Sequence, residues 1–92
     1  ALHDARVRPE QIDYVNPHAT STPVGDAAEA HALRAVFGPA RPIVGATKGL
    51  TGHPLSMSGA LEAAIGCLAI REGFCPGNPT LQEADPVCAD LH

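Results

Sequence analysis

Three features of this 92-residue sequence predict an α/β fold in which strands and helices alternate. Two short segments rich in β-forming residues, 12–16 and 42–47, are each followed by a longer segment with helical patterning. Both helical segments end at a glycine with a proline close behind it, as helices often do. The order strand, helix, strand, helix predicts parallel strands joined by a right-handed crossover.

Local signals predict the first strand and the first helix. Residues 12–16 read IDYVN, a short run dominated by β-forming side chains. Asp26 followed by Glu29 has the form of a capping box, which predicts that the helix begins at Asp26. Gly38 and Pro39 then end it. The apolar residues of this helix fall on one stripe and comprise Ala30, Leu33, Val36 and Phe37.

The second strand, 42–47, leads through a polar, glycine-rich passage into a helix over 60–73 that is apolar on nearly every side. This pattern is typical of a central helix that is buried all round. Glu62 is the one charged residue between positions 54 and 70, and an isolated buried carboxylate is costly unless it is paired. We therefore expect an ion pair with Lys48, the alternative being that Glu62 faces solvent.

The composition excludes several classes of function. A net charge of −4 argues against nucleic acid or an anionic membrane as a partner. No apolar run reaches the roughly 18 residues of a membrane span, and no signal peptide is visible. The three cysteines form neither a CxxC motif nor an even set for disulfides, so we expect a reducing, cytoplasmic setting. The histidines and cysteines lack the spacing of a zinc site, and we expect no metal.

Polar residues directly after the two predicted strands form the candidate site. His18 follows the first strand and Lys48 the second, at the strand ends where α/β sheets usually carry functional residues. Adjacent strands lie about 4.8 Å apart, so we expect these connections, together with His53, to share one cleft. Taken singly, either histidine has an ordinary explanation as a turn residue.

Thr20 and Thr22 follow His18 in the motif HATST. Threonines favour turns and helix caps, but Asp26 already supplies the predicted cap. Hydroxyls two residues apart can face the same side of an extended loop, where they would bind the amides of an elongated ligand. The sequence shows no phosphate-binding loop, no GxSxG motif and no evident nucleophile.

Three segments, YVNPHATSTPVGD, ATKGLTGH and GALEA, resemble in this order the C-terminal half of β-ketoacyl-[acyl carrier protein] synthases. The flanking segments also fit, so the resemblance covers nearly the whole chain. It implies a thiolase-like fold, in which two similar α/β halves stack in layers and bury helices between their sheets. Residues 1–92 would then be part of the C-terminal domain, truncated at both ends.

The resemblance also implies an activity. Such enzymes catalyse the decarboxylative Claisen condensation of malonyl-[acyl carrier protein] with an acyl thioester in fatty acid or polyketide elongation. His18 and His53 match the two histidines of the family's Cys-His-His triad, whose N–H groups would stabilise the enolate oxygen formed on decarboxylation. Lys48 matches the lysine that orients the site electrostatically, and Glu62 matches its carboxylate partner.

Further expectations follow from the family. Thr20 and Thr22 match the hydroxyls that hold the phosphopantetheine arm, which arrives on the acyl carrier protein, so no cofactor of the chain's own is expected. Some members hold a monovalent cation where Asn16 and Glu62 fall, but we do not expect one here. The implied partners are the acyl carrier protein, malonyl and acyl thioesters, and a second subunit in a homodimer.

The chain departs from the family at several places. Ala19 replaces the usual glycine, which requires a negative φ at this position. Ser56 and Ser58 stand where glycine and alanine are common. The nucleophilic cysteine and the Gly-Phe-Gly-type loop fall outside the chain, so these residues alone should not condense anything. Two alternatives stay open: a non-catalytic, chain-length-factor-like subunit, and an unrelated α/β interaction module.

Overall fold

A computed structural model describes residues 1–91 and shows the alternation of strands and helices that the sequence predicts. The elements in chain order are α1 (Leu2–Ala5), β1 (Tyr14–Val15), α2 (Pro23–Phe37), β2 (Ile43–Val44), α3 (Lys48–Thr51) and α4 (Ser58–Glu72). Single 3-10 turns lie at Pro9–Gln11, Gly38–Ala40 and Leu55–Met57. Within residues 1–91, each helix is too short or too polar to cross a bilayer.

The two strands form a parallel pair, as predicted. Tyr14 lies opposite Ile43, and Val15 lies opposite Val44. The amide of Ile43 donates to the Asp13 carbonyl at 2.9 Å. Each strand is only two residues long, shorter than the predicted 12–16 and 42–47, and within residues 1–91 the sheet consists of this one pair.

Helix α2 begins earlier than predicted. Thr22, with an extended backbone, is the residue before the first helical turn, and Pro23 is the first helical residue. Proline suits that position because its fixed φ matches the helix and its missing N–H costs no bond there. The amide of Asp26 already donates to the Thr22 carbonyl at 2.9 Å. The prediction that Asp26 and Glu29 form a capping box is therefore wrong, whereas the helix ends at Phe37, just before Gly38, as expected.

The segment after α4 passes close to two glycines, Gly45 at the end of β2 and Gly49 in α3. A Cβ atom at Gly45 would collide with the carbonyl oxygen of Pro76, and one at Gly49 would collide with the hydroxyl of Thr80. The side chain of Asn78 accepts a hydrogen bond from the Ala46 amide at 2.6 Å. The absence of a side chain at Gly45 and Gly49 thus allows residues 76–80 to pack closely against the segment that contains Lys48.

The end of the described chain is held by α2. The Nε–H of Arg34 donates to Asp90 Oδ2 at 2.9 Å, and the same guanidinium also donates to the Val87 carbonyl. The hydrogen bond from Arg34 lowers the pKa of Asp90 from 3.8 to about 2. Side chains therefore anchor a segment for which the sequence predicts no regular element.

Helix α4 differs most from its prediction. Of its 15 residues only Ser58 and Ala69 are buried, and Ile70 is 86% exposed. The expected burial on every side is therefore wrong for residues 1–91. A helix that is apolar all round needs neighbours on all of its faces, and the described residues cover only part of its surface.

Candidate functional site

The two histidines named by the sequence lie side by side. The ring centroids of His18 and His53 are 5.3 Å apart, and the ring planes meet at 82°. His18 lies between β1 and α2, while His53 follows α3, so the parallel strands bring together residues that are distant in sequence. Both side chains are exposed within residues 1–91. The structure thus brings both histidines together at an exposed surface of residues 1–91, where a cleft was expected, and their catalytic roles stay predictions.

Glu29 holds the backbone beside His18. One carboxylate oxygen accepts the His18 amide at 2.7 Å, and the other accepts the Ala19 amide at 2.8 Å. Such charge-assisted hydrogen bonds are shorter and stronger than neutral ones. Sequence reasoning missed this role because it assigned Glu29 to the helix cap. The signal that could have found it is the Thr22–Pro23 pair, which is itself a helix-start pattern and leaves Glu29 free.

The loop that carries His18 has an unusual backbone. Ala19 has a φ of 33° and Ser21 a φ of 59°, both in the region that favours glycine. The expectation of a negative φ at Ala19 is therefore wrong. A left-handed conformation costs a residue with a Cβ about 1 kcal/mol or more, and it persists only where the surroundings impose it. Glu29, which accepts the amides of two successive residues, is such a constraint.

The hydroxyls of Thr20 and Thr22 meet on one side of the same loop. Their Oγ1 atoms are 3.2 Å apart. Thr22 directly precedes α2, yet its hydroxyl makes no capping hydrogen bond and pairs instead with the Thr20 hydroxyl. Gly25 leaves the space that this hydroxyl occupies, because a Cβ there would collide with Thr22 Oγ1.

Lys48 and Glu62 form the ion pair that the sequence predicts. The Lys48 ammonium donates to Glu62 Oε1. The Lys48 side chain is 6% exposed and that of Glu62 is 19% exposed, so the alternative in which Glu62 faces solvent does not hold. The pair links the first residue of α3 to the first half of α4, on either side of His53.

The side chains of Tyr14 and Asn16 link the first strand to the segment that follows the second strand. The Tyr14 hydroxyl donates to the Gly45 carbonyl at 2.5 Å. Burial raises the pKa of Tyr14, and the nearby charges of Cys75 and Glu62 raise it further. Asn16 Nδ2 lies 3.5 Å from Thr47 Oγ1, so the ends of β1 and β2 are joined through side chains.

Within residues 1–91, no three histidine, cysteine, aspartate or glutamate side chains are grouped so that they could hold a metal ion. The buried Oδ1 of Asn16 has no hydrogen-bond partner among these residues. Glu62, the other residue named for a cation, accepts a hydrogen bond from Lys48 through Oε1. The expectation that no cation binds here stays a prediction.

A cavity of about 470 Å³ lies between the loop before α2, helix α2 itself and residues 78–91. Thr22 and Glu29 lie in its wall, whereas the two histidines do not. The histidine pair therefore belongs to an open surface, and the cavity is a neighbouring feature of the same loop.

His53 is oriented by the chain that follows it. Its Nδ1 accepts the backbone amide of Leu55 at 3.2 Å. A ring nitrogen that accepts an N–H carries no hydrogen itself, so in the neutral ring the hydrogen is on Nε2. The free edge of His53 is therefore a hydrogen-bond donor, which is the property that an oxyanion site requires.

Comparisons of the sequence with known proteins identify its family. The family model described as "Beta-ketoacyl synthase, C-terminal domain" matches residues 1–82. The 3-oxoacyl-[acyl-carrier-protein] synthase 2 of Coxiella burnetii is 43% identical over 90 residues, which are 96% of this chain and 22% of the relative. A mitochondrial 3-oxoacyl-[acyl-carrier-protein] synthase of Arabidopsis thaliana is 45% identical over 91 residues, 95% of this chain and 20% of the relative.

A third relative, the 3-oxoacyl-[acyl-carrier-protein] synthase 1 of Escherichia coli, is 44% identical over 81 residues, 88% of this chain and 20% of the relative. The chain thus spans about a fifth of the length of the curated relatives it matches. The matched region contains both histidines, the Lys48–Glu62 pair and the Glu29 contact. This chain belongs to the β-ketoacyl synthase family and corresponds to part of its C-terminal domain.

Proposed function

We propose that this chain is the histidine-bearing part of a 3-oxoacyl-[acyl carrier protein] synthase, an acyltransferase of fatty acid or polyketide elongation. The observation that carries the proposal is the approach of the His18 and His53 rings to 5.3 Å. A largely buried Lys48–Glu62 pair joins the two helices that flank His53 in the chain. The names of the relatives state the same activity for those proteins.

Decarboxylation creates a negative charge on the substrate, and two imidazole N–H groups can stabilise it. When the malonyl thioester loses CO₂, the electron pair of the broken C–C bond moves onto the thioester as an enolate. The enolate carbon then attacks the acyl thioester, and the cysteine thiolate that carried the acyl group leaves. N–H groups of His18 and His53 directed at the enolate oxygen stabilise it before attack. Losing one such donor typically lowers the rate about 10²–10³-fold.

The remaining residues prepare the site. The Lys48 ammonium would orient the site electrostatically, and Glu62 compensates its charge at low exposure. Thr20 and Thr22 bind the amides of the phosphopantetheine arm, since their hydroxyls share one side of the loop. The nucleophilic cysteine comes from the family's other half, so residues 1–92 form a partial domain that needs that half for activity.

The layered thiolase-like architecture is part of the proposal. It would place further elements against α4, where Ile70 and Leu68 are exposed within residues 1–91. We expect the acyl carrier protein and its malonyl and acyl thioesters as partners, a homodimer as the assembly, the cytoplasm as the compartment, and no metal or resident cofactor. A non-catalytic, chain-length-factor-like subunit is disfavoured, because both histidines and the ion pair are in place.

The full-length protein tests this function. His53→Ala should abolish malonyl decarboxylation while acyl transfer to the cysteine continues, both followed with labelled thioesters. His31→Ala, on the exposed side of α2, is the matched control and should leave both steps unchanged. Loss of acyl transfer with decarboxylation intact would contradict the role given to His53.

A further inference from the structure

We propose that Ser58 is a positioning residue for His53, holding the ring in the tautomer that presents Nε2–H to the substrate. The inference rests on the function proposed above and adds a residue to it. Its basis is a hydrogen bond between the Ser58 hydroxyl and the His53 ring that the sequence analysis did not anticipate.

The geometry makes Ser58 a donor to the ring. Its Oγ lies 2.8 Å from His53 Nδ1, and the residue is 8% exposed. The Leu55 amide donates to the same nitrogen at 3.2 Å. Because that nitrogen is already an acceptor, the serine hydroxyl donates to it as well. Two donors on Nδ1 oppose the tautomer that carries its hydrogen there.

The two donors are unequal. The Leu55 bond is at the long end of the normal range, and Leu55 itself has a φ of 50°, in the region that favours glycine. Ser58 is the first residue of α4, a 15-residue helix, and its bond to the ring is shorter. Within residues 1–91, His53 is the one side-chain partner of this hydroxyl, so an unbonded Ser58 would leave a buried polar group unsatisfied.

The consequence is a more firmly held ring. His53 is exposed within residues 1–91 and depends on its Nδ1 edge for orientation. Ser58→Ala leaves Leu55 as the one donor, so the ring samples the Nδ1–H tautomer and other orientations more often. Loss of one ordinary hydrogen bond corresponds to a fall in the decarboxylation rate of about five-fold.

The test uses the full-length protein labelled with ¹⁵N-histidine. In the wild type, the ¹⁵N chemical shifts of His53 should show an acceptor Nδ1 and a protonated Nε2, assigned by comparison with His53→Asn. In Ser58→Ala the two shifts should move towards each other, and decarboxylation should fall about five-fold with acyl transfer unchanged. Ser56→Ala, at an exposed neighbouring serine, is the control and should match the wild type in both measurements.

The outcomes separate the inference from the proposed function. Unchanged nitrogen shifts in Ser58→Ala would overturn the positioning role, and a lowered melting temperature with those same shifts would make Ser58 merely structural. If the wild type does not decarboxylate malonyl thioesters, the proposed function is contradicted instead. The ¹⁵N chemical shifts of His53 would still show whether Ser58 fixes its tautomer.

Discussion

The two histidines reach the same surface by different means. The His18 loop is held through its backbone, by an ionised carboxylate that accepts two successive amides and keeps Ala19 at positive φ. The His53 segment is held through the ring, by a neutral amide and a neutral hydroxyl. The first support acts on the backbone of His18, whose ring meets the His53 ring edge-on. The hydrogen bonds from Leu55 and Ser58 to Nδ1 fix the His53 ring, so its Nε2–H is available as a hydrogen-bond donor.

The two proposed N–H donors therefore differ in how they are positioned. Hydrogen bonds to the ring fix the tautomer of His53, whereas His18 is positioned through its backbone and through the edge-on contact with the His53 ring. The Lys48–Glu62 pair also supports the His53 segment, because it joins α3 to α4, the two helices that flank His53 in the chain.

The largest expected effect comes from removing one member of that pair. Lys48→Met leaves Glu62 largely buried without a counter-charge, and we expect the free energy of unfolding of the full-length protein to fall by about 3 kcal/mol. Chemical denaturation measures the loss, and amide exchange should rise first in α3. The double variant Lys48→Met/Glu62→Leu should recover part of the stability.

An exposed ion pair provides the control. Arg8 and Glu10 lie 3.7 Å apart with side chains 76% and 62% exposed. Arg8→Ala should change the free energy of unfolding by less than about 0.5 kcal/mol, because solvent screens such pairs. Equal losses for Lys48→Met and Arg8→Ala would show that the buried pair does not support the His53 segment.

A smaller effect is expected on the His18 side. Glu29→Gln keeps one acceptor oxygen but turns an NH₂ group towards a backbone N–H, so one charge-assisted bond is lost and the other is weakened. We expect a loss of about 2 kcal/mol, with faster hydrogen exchange at the amides of His18 and Ala19.

The exposed Glu72→Gln is the matched control and should leave that exchange unchanged. Protection of the His18 and Ala19 amides that survives Glu29→Gln would mean that something other than the carboxylate shapes the loop.

The smallest effect tests the strained backbone directly. Ala19→Gly removes the Cβ that opposes a φ of 33°, which offsets the greater freedom of glycine in the unfolded chain. We expect a change between zero and about 1 kcal/mol of added stability. Ala32→Gly, in the exposed interior of α2, should instead cost about 1 kcal/mol. The stabilities are compared by the denaturant concentrations at the unfolding midpoints. A similar loss of stability in both variants would contradict strain at Ala19.

Some errors of sequence reasoning share one cause. Asp26 and Glu29 fit a capping box as well as they fit an interior turn, because both readings use the same spacing of polar residues. Likewise, an alanine in place of glycine gives no sign of its φ, which here depends on a carboxylate two helical turns into α2. Local patterns cannot choose between partners that only the folded chain brings within reach.

The sequence by itself determined the alternation of strands and helices, the parallel pairing of β1 with β2, and the Lys48–Glu62 pair. The strands and helices follow from the periodicity of apolar residues, which is a local property. The ion pair follows from the cost of burying a lone charge, which applies in any fold. Only the tertiary structure decided that Glu29 holds the His18 loop, that the segment after α4 passes close to Gly45, and that α4 is exposed within residues 1–91. Each of these depends on which distant atoms are neighbours, and hydrogen bonding and burial are properties of neighbours, not of residues taken singly.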